Sequence, residues 1–581
     1  MNGGELISEV LYNQGVRNIF TLCGGHISPI LIGAKKKGIK VIDVRNEADA
    51  VFAADAVSRL SDTVGVAAVT AGPGVTNSIT ALVNAYESQS PLILLGGAAA
   101  TLEKGRGALQ DIDQLSIIKA AVKHAASVKK LDDIIPTLEH AFLVSQSGVP
   151  GPVFIEFPLN VTAPESIVRK EFEKRRPNAL GMIGKGLNWY IDWHLDSIFR
   201  EPRDKPLEER IRGKFRPHSE QQVSDFLSYL QESEAPLMLI GSQTILGSKN
   251  IENVAKSVRN ISVPAYLSGM ARGLLGKEDP LQFRYGRKEA LKEADLVILA
   301  GVSPDFRLGF GRHINRRAKY VSINLSTEDL NLNRYFRNPD QKICGSPREF
   351  LGDIGSYSTR DIGRQWTHWK ERLRERENIA ESHMRRKAEG NVYQGINPLQ
   401  LFYELDKILD DNSVIIVDGG DFAATASYIL RPRKPLRWLD PGKFGTLGVG
   451  GGFGLGAKAL NPDSEVYIIY GDGSCAYSIS EYDSFLRNKL PVIAIVGNDA
   501  AWTQIKRDQV RLLGDDVATS LRHTDYHTVA KGYGGEGRKA ENINEFIDAL
   551  KEAKQTVKNG KPYLINSIIG KTDFRDGSLS V

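Results

Sequence analysis

The sequence predicts an α/β protein of three doubly wound parallel-sheet domains, and three observations predict it. Short β-branched apolar runs recur along the chain, each closed by a polar, glycine-bearing turn and separated by helix-like segments. Strand, polar turn, crossover helix and strand, in that order, make parallel sheets rather than hairpins. Two charged stretches, 166–217 and 356–395, interrupt the alternation and divide the 581 residues into units at 1–165, 218–355 and 396–581, a length that suits three or four domains.

The first unit supplies four such strands. NIFTL (18–22) leads to Gly24-Gly25-His26, KVIDV (40–44) to Arg45-Asn46-Glu47, VGVAAVT (64–70) to Ala71-Gly72-Pro73-Gly74, and PLILLGG (91–97) follows. Each turn falls at a strand's carboxyl end, where open α/β sheets hold ligands. Glu47 opens the helical stretch ADAVFAADAVSRL, a place where the helix macrodipole favours an acid.

Between the units, Leu187, Tyr190, Ile191, His194, Leu195, Ile198 and Phe199 recur at helical spacing within 166–217. They predict an amphipathic helix, packed on a domain or lying on a membrane surface. LMLIGSQ (237–243), ADLVILAGVSPDF (294–306) and YVSINL (320–325) form the second unit, where Asp305, Arg307 and Arg312 are either surface charge or a ligand contact. The stretch 356–395 reads as a charged linker.

The third unit begins with SVIIVDGGDF (413–422), passes through a glycine run (445–454) and reaches EVYIIY (465–470), closed by Gly471-Asp472-Gly473. Ser474 then enters a helical stretch whose Tyr477, Ile479, Tyr482, Phe485 and Leu486 predict one apolar face, and PVIAIV (491–496) ends at Gly497-Asn498-Asp499. Two polar turns therefore stand at the ends of adjacent parallel strands. A carboxylate on the first and an amide or carboxylate on the second can ligate one hard cation such as Mg2+, which commonly bridges to a phosphate. The amides of Gly473 and Ser474 would face a diphosphate at the helix start.

Composition narrows the function classes. The chain is 41% hydrophobic and 25% charged, ordinary globular material, and its net charge of +5 includes no long Lys/Arg run of the kind that binds nucleic acid. Cys23, Cys344 and Cys475 are too few and too far apart for a disulfide framework or a zinc pattern. No apolar run is long enough for a transmembrane helix, and MNGGELISEV lacks the regions of a signal peptide.

Gly471-Asp472-Gly473 followed, one crossover helix later, by Asn498-Asp499 resembles the signature of thiamine-diphosphate enzymes. The likeness extends in order through GGHISP, ALQDIDQLS, SGMARGLLG, RWLDPGKFGTLGVG, GNDAAWTQI and TDYH, and is nearest to the 2-hydroxyacyl-CoA lyases of the acetolactate-synthase-like group. It implies a pyrimidine-binding domain (1–165), a central domain (218–355) that holds FAD, ADP or nothing, and a diphosphate and Mg2+ domain (396–581). Glu47 would bond the aminopyrimidine, Gly25 would face the thiazolium, and His26 and Gln110 would lie beside the reacting centre as polar or acid/base groups. Gly420, Gly448, Gly473 and Ser474 would line the diphosphate turn, and Leu447 would hold the cofactor bent. Asp472, Asp499 and the Ala501 carbonyl would hold the metal, with Asn498 the rival to Asp499; Asp421-Phe422 departs from the Gln-His of acetolactate synthases.

The implied reaction cleaves a 2-hydroxyacyl-CoA to formyl-CoA and a fatty aldehyde one carbon shorter, as in fatty acid α-oxidation. Acetolactate synthesis from pyruvate is the alternative, although Asp508 stands where that enzyme has a substrate-selecting Trp. A non-catalytic scaffold protein is the third, against which Glu47 and Asp472 speak. The resemblance also implies a homodimer or homotetramer with sites between subunits, and either endoplasmic-reticulum association with membrane contact or, without an anchor, a cytoplasmic location.

Overall fold

The computed structural model describes residues 1–174, 182–200, 207–247, 250–357, 362–390 and 392–576. It contains three six-stranded sheets in which every pairing is parallel. The chain divides into two compact units, 1–58 with 63–214, and 59–62 with 215–581.

In the first unit β1 (Asn18–Thr21), β2 (Lys40–Asp43), β3 (Gly65–Val69), β4 (Leu92–Ala98), β5 (His124–Ser127) and β6 (Pro152–Pro158) lie in the order β2-β1-β3-β4-β6-β5. Strands β3 and β4 are buried along their whole length, which is why they read as continuous apolar runs; β6 is as deeply buried but is interrupted by Glu156 and was not identified from the sequence. β5, HAAS, has no such run and gave no signal in the sequence.

The second unit carries two sheets. β7 (Pro236–Ile240), β8 (Ala265–Leu267), β9 (Gln282–Phe283), β10 (Leu296–Ala300), β11 (Lys319–Asn324) and β12 (Gln341–Cys344) take the order β12-β11-β10-β7-β8-β9. β13 (Val414–Asp418), β14 (Trp438–Leu439), β15 (Val466–Gly471), β16 (Ile493–Asn498), β17 (Glu536–Ala540) and β18 (Tyr563–Ile568) take the order β14-β13-β15-β16-β18-β17. In each sheet the chain winds outward, then returns to wind the other way. This leaves a switch point between β1 and β3, between β7 and β10, and between β13 and β15, the crevice where such sheets bind ligands.

Two expectations need correction. The charged stretch 356–395 is no plain linker, because Thr367–Glu389 forms a helix of 23 residues. Its Trp369 and Leu373 join the core around β7, β10 and β11, while Met384 and Ala388 join the core of the third sheet. Charged residues on the outer face masked a buried stripe at helical spacing. The stretch after Gly473 is two helices, Asp472–Ser478 and Glu481–Arg487, and Tyr477 is 63% exposed rather than in the core. The amphipathic helix expected near 187–199 is present as Met182–Ile198; it buries Leu195 and Ile198, packs Ile191 against the core and leaves Leu187, Trp189, Tyr190 and Trp193 exposed. No helix among the described residues is long and apolar enough to cross a membrane.

Trp369 also donates its Nε1 proton to the Pro236 carbonyl at 2.8 Å, fixing the long helix to β7. Truncation of a buried Trp costs about 3–5 kcal/mol, so Trp369→Ala is expected to lower the urea midpoint of the second unit. An unchanged midpoint would show that the helix is held elsewhere.

Candidate functional site

At the switch between β1 and β3, the turns after the two strands diverge and their side chains meet. Gly25–Ile27 is a short 3-10 turn, and its His26 Nδ1 lies 3.2 Å from Thr70 Oγ1 at the end of β3. Thr70 in turn donates to Gln110 Oε1 at 3.4 Å. Three residues far apart in sequence thus form one chain of polar contacts. Burial pushes the His26 pKa below its ordinary 6.5.

Gln110 sits in the left-handed region at φ +61°, and its carbonyl is so close to Gly72 that a Cβ there would come within 2.9 Å. This loop is anchored by Gln114, whose Nε2 donates to the Gly97 carbonyl and to Glu156 Oε2, both at 2.8 Å. Gln114 Oε1 accepts from the Gly72 amide at 3.2 Å. Glu156 is wholly buried and is satisfied by Lys104 at 2.6 Å and Ser127 at 2.8 Å. Neither Thr70, Gln114 nor Glu156 was identifiable from spacing, since only the fold brings them together.

Glu47 begins the helix Glu47–Leu60 and is buried, and its Oε2 accepts from Asn77 Nδ2 at 3.0 Å. Asn77 closes the short helix that follows Gly72, so the second and third turns are tied to each other. Gly25 has open space where a Cβ would stand.

In the second unit, β13 and β15 are paired with Asp418 beside Tyr470, so the turns that follow them are neighbours. Asp418 is wholly buried, and its two oxygens accept from the amides of Gly448 (3.0 Å) and Gly450 (2.8 Å). Burial still raises its pKa to about 7. These bonds tie the turn after β13 to the start of the glycine-rich helix Val449–Leu460. Leu447 packs directly on Gly419, where a Cβ would overlap its side chain, and Gly420 beside it is at φ +78°. The Ser474 hydroxyl donates to the Asp418 carbonyl at 2.6 Å, joining the two turns. Asp421 is an ion-pair partner of Arg507, with Arg575 at 3.7 Å, and so is not a free diphosphate contact.

Asp472 stands buried at the end of β15. Its Oδ1 accepts from the Gly473 amide at 2.8 Å, while Oδ2 has no hydrogen-bond partner among the described residues. Burial, followed by the charge of the nearby Asp499, raises its pKa to about 7. Burial also raises that of Asp499, whose Oδ2 accepts from the Thr503 hydroxyl. Asn498 behaves differently. Its Nδ2 donates to the Thr524 carbonyl (3.0 Å) and to Asn566 Oδ1 (3.1 Å), and its Oδ1 lies 3.2 Å from His523 Nδ1. Ala501 follows as an isolated bridge to Ser520. A cavity of about 440 Å³ adjoins this turn, lined by Gly473, Tyr477, Trp502, Leu521, Arg522 and Tyr526.

Two adjacent carboxylates, Asp472 buried with an orphaned oxygen and Asp499 half-buried, form a donor set suited to a hard cation. Among the described residues no group of three or more His, Cys, Asp or Glu side chains gathers as a metal site, so a backbone carbonyl or a ligand oxygen has to complete the set.

Comparison with known proteins agrees with this layout. Residues 1–117 match the N-terminal TPP-binding domain of thiamine pyrophosphate enzymes, 223–354 their central domain and 418–567 their C-terminal TPP-binding domain. The chain is 49% identical to 2-hydroxyacyl-CoA lyase 2 of Danio rerio, covering 100% of this chain and 93% of that protein. It is 47% identical to the protein of the same name in Caenorhabditis elegans, over 100% and 91%. The acetolactate synthase large subunit of Mycobacterium tuberculosis is 29% identical over 97% and 95%.

Asp418 and Asp472 both have folded-state pKa values raised from 3.8 to about 7. The stability their protonated forms contribute is therefore complete below about pH 4 and is lost as pH rises through about 7. The metal-free chain is expected to melt at lower temperature as pH rises across that window, and Asp472→Asn to flatten the slope. A slope unchanged in Asp472→Asn would remove Asp472 as its source.

Proposed function

Because the chain belongs to the thiamine pyrophosphate enzyme family, we propose that it is a thiamine-diphosphate-dependent lyase. It cleaves a 2-hydroxyacyl-CoA between C1 and C2, releasing formyl-CoA and an aldehyde one carbon shorter. The observation that carries this reading is the identity of 43% to 49% over the whole chain with proteins named 2-hydroxyacyl-CoA lyase 2, against 29% for the acetolactate synthase.

The residues present fit the cofactor. Asp472 and Asp499 would offer carboxylate oxygens to Mg2+, with the Ala501 carbonyl as third ligand, and Asn498 is left to its own hydrogen bonds. The Ser474 amide and the open turn at Gly420 would receive the diphosphate beside Gly448, and Leu447 would hold the cofactor bent, while the Gly473 amide is taken up by Asp472 Oδ1 at 2.8 Å. Bound thiamine diphosphate supplies a nucleophilic carbon and an electron sink. Glu47 holds a proton at the aminopyrimidine, and Gly25 leaves room for close approach. His26 takes the substrate's 2-hydroxyl proton as a base, or Gln110 hydrogen-bonds that hydroxyl. The family resemblance supports a homodimer or homotetramer with active sites between subunits.

For the central sheet we propose an anionic nucleotide, FAD or ADP. Arg287 lies near the switch between β7 and β10, its Nη2 donating to the Arg307 carbonyl at 3.0 Å, and no carboxylate pairs with it among the described residues. Arg307 is instead committed to Asp305 at 2.6 Å.

The test is purified protein with thiamine diphosphate and Mg2+, offered 2-hydroxyacyl-CoA and pyruvate together. Aldehyde is expected, and Glu47→Gln should lower kcat by about 10²- to 10⁴-fold. Acetolactate as the main product would transfer the chain to the synthases.

A further inference from the structure

We propose that Thr70 is a positioning residue that fixes His26 as the tautomer protonated on Nδ1, leaving Nε2 as the base for the substrate's 2-hydroxyl. The proposal rests on the lyase reading and chooses between the two candidates it left open.

The argument is one of counting protons. A threonine hydroxyl has a single proton, and an amide oxygen can only accept. Thr70 Oγ1 donates to Gln110 Oε1 at 3.4 Å, so toward His26 Nδ1, 3.2 Å away, it presents lone pairs. With the Gln110 amide oriented this way, Nδ1 is the donor. A neutral imidazole with its proton on Nδ1 carries its lone pair on Nε2, and Nε2 makes no hydrogen bond among the described residues.

Packing holds all three groups in register. A Cβ on Gly97 would stand 2.5 Å from the His26 Cβ, so the histidine is seated directly against the end of β4. Gln110 is held at φ +61° by a loop whose anchor, Gln114, is bonded to Gly97, Gly72 and the buried Glu156. Burial also favours the uncharged ring, as a base requires. In the step itself Nε2 takes the 2-hydroxyl proton and becomes imidazolium. The O–H electron pair closes the aldehyde carbonyl while the C1–C2 pair departs to C1. Gln110 then orients Thr70 and does not touch the proton.

Two measurements test this. In the first, Thr70→Val removes the hydroxyl at constant shape and is expected to lower kcat at least about tenfold, as misplacing a base's tautomer does. KM and cofactor affinity should stay within about twofold, Thr70→Ser should restore turnover, and Thr70→Val should add nothing in a His26→Ala background. Normal turnover in Thr70→Val, failure of serine to rescue, or full additivity with His26→Ala would overturn the proposal. In the second, imidazole ¹⁵N shifts of His26, recognised by their loss in His26→Ala, should report a protonated Nδ1 in the wild type and a mixture in Thr70→Val. A wild-type ring protonated on Nε2 overturns the proposal even in a chain that turns nothing over. Absence of aldehyde from the wild type would instead sink the lyase reading.

Discussion

Carboxylates taken out of water at the ends of adjacent strands set the terms for the third sheet. Asp418 and Asp472 stand one strand apart, and burial raises both, yet they are resolved in different ways. Asp418 is satisfied from within by the amides of Gly448 and Gly450, and so fixes the glycine-rich helix to the turn. Asp472 keeps an oxygen without a partner and has Asp499 beside it, an arrangement that burial alone penalises. A divalent cation would relieve it, which is the role proposed for this turn. The close packing around it follows the same logic: Gly473 admits the Trp502 ring and Gly497 the Phe422 ring, where any Cβ would clash.

The same topology repeats three times with different chemistry at each switch point. In the first sheet the crevice gathers His26, Thr70 and Gln110, in the third the acids and glycines, and in the second Arg287 donates to the Arg307 carbonyl in the turn after β10. Sheets provide only the address, and function lies in the residues placed there. The long helix Thr367–Glu389 couples the second and third sheets by entering both cores, and its Glu377 caps the backbone amides of Arg284 (3.0 Å) and Tyr285 (2.9 Å).

Much of this was legible in the sequence, for physical reasons. Strands buried on both faces announce themselves as β-branched runs, and the turns after them carry glycine because the chain must reverse there. Strands of two residues such as β9 and β14, and the polar β5, leave no such trace. The helix of 367–389 was hidden by its charge, because Lys and Arg stems and exposed acids outnumber its buried Trp, Leu and Met positions. Tyr477 was assigned to a core by periodicity, but the helix breaks before Glu481 and its ring lines the cavity. Asn498 and Asp499 were rivals in the sequence because a shift of one residue exchanges them. Their surroundings differ sharply: the amide has partners on every side, whereas the acid faces a second acid.

The central claim is that Asp472 and Asp499 together make a cation-dependent clamp for the diphosphate. Its most direct test is calorimetric titration of Mg2+, in the presence of thiamine diphosphate, into the wild type and the variants Asp499→Ala and Asn498→Ala. The account predicts that Asp499→Ala loses cofactor-linked Mg2+ binding while Asn498→Ala keeps it. Loss in Asn498→Ala with retention in Asp499→Ala would contradict it.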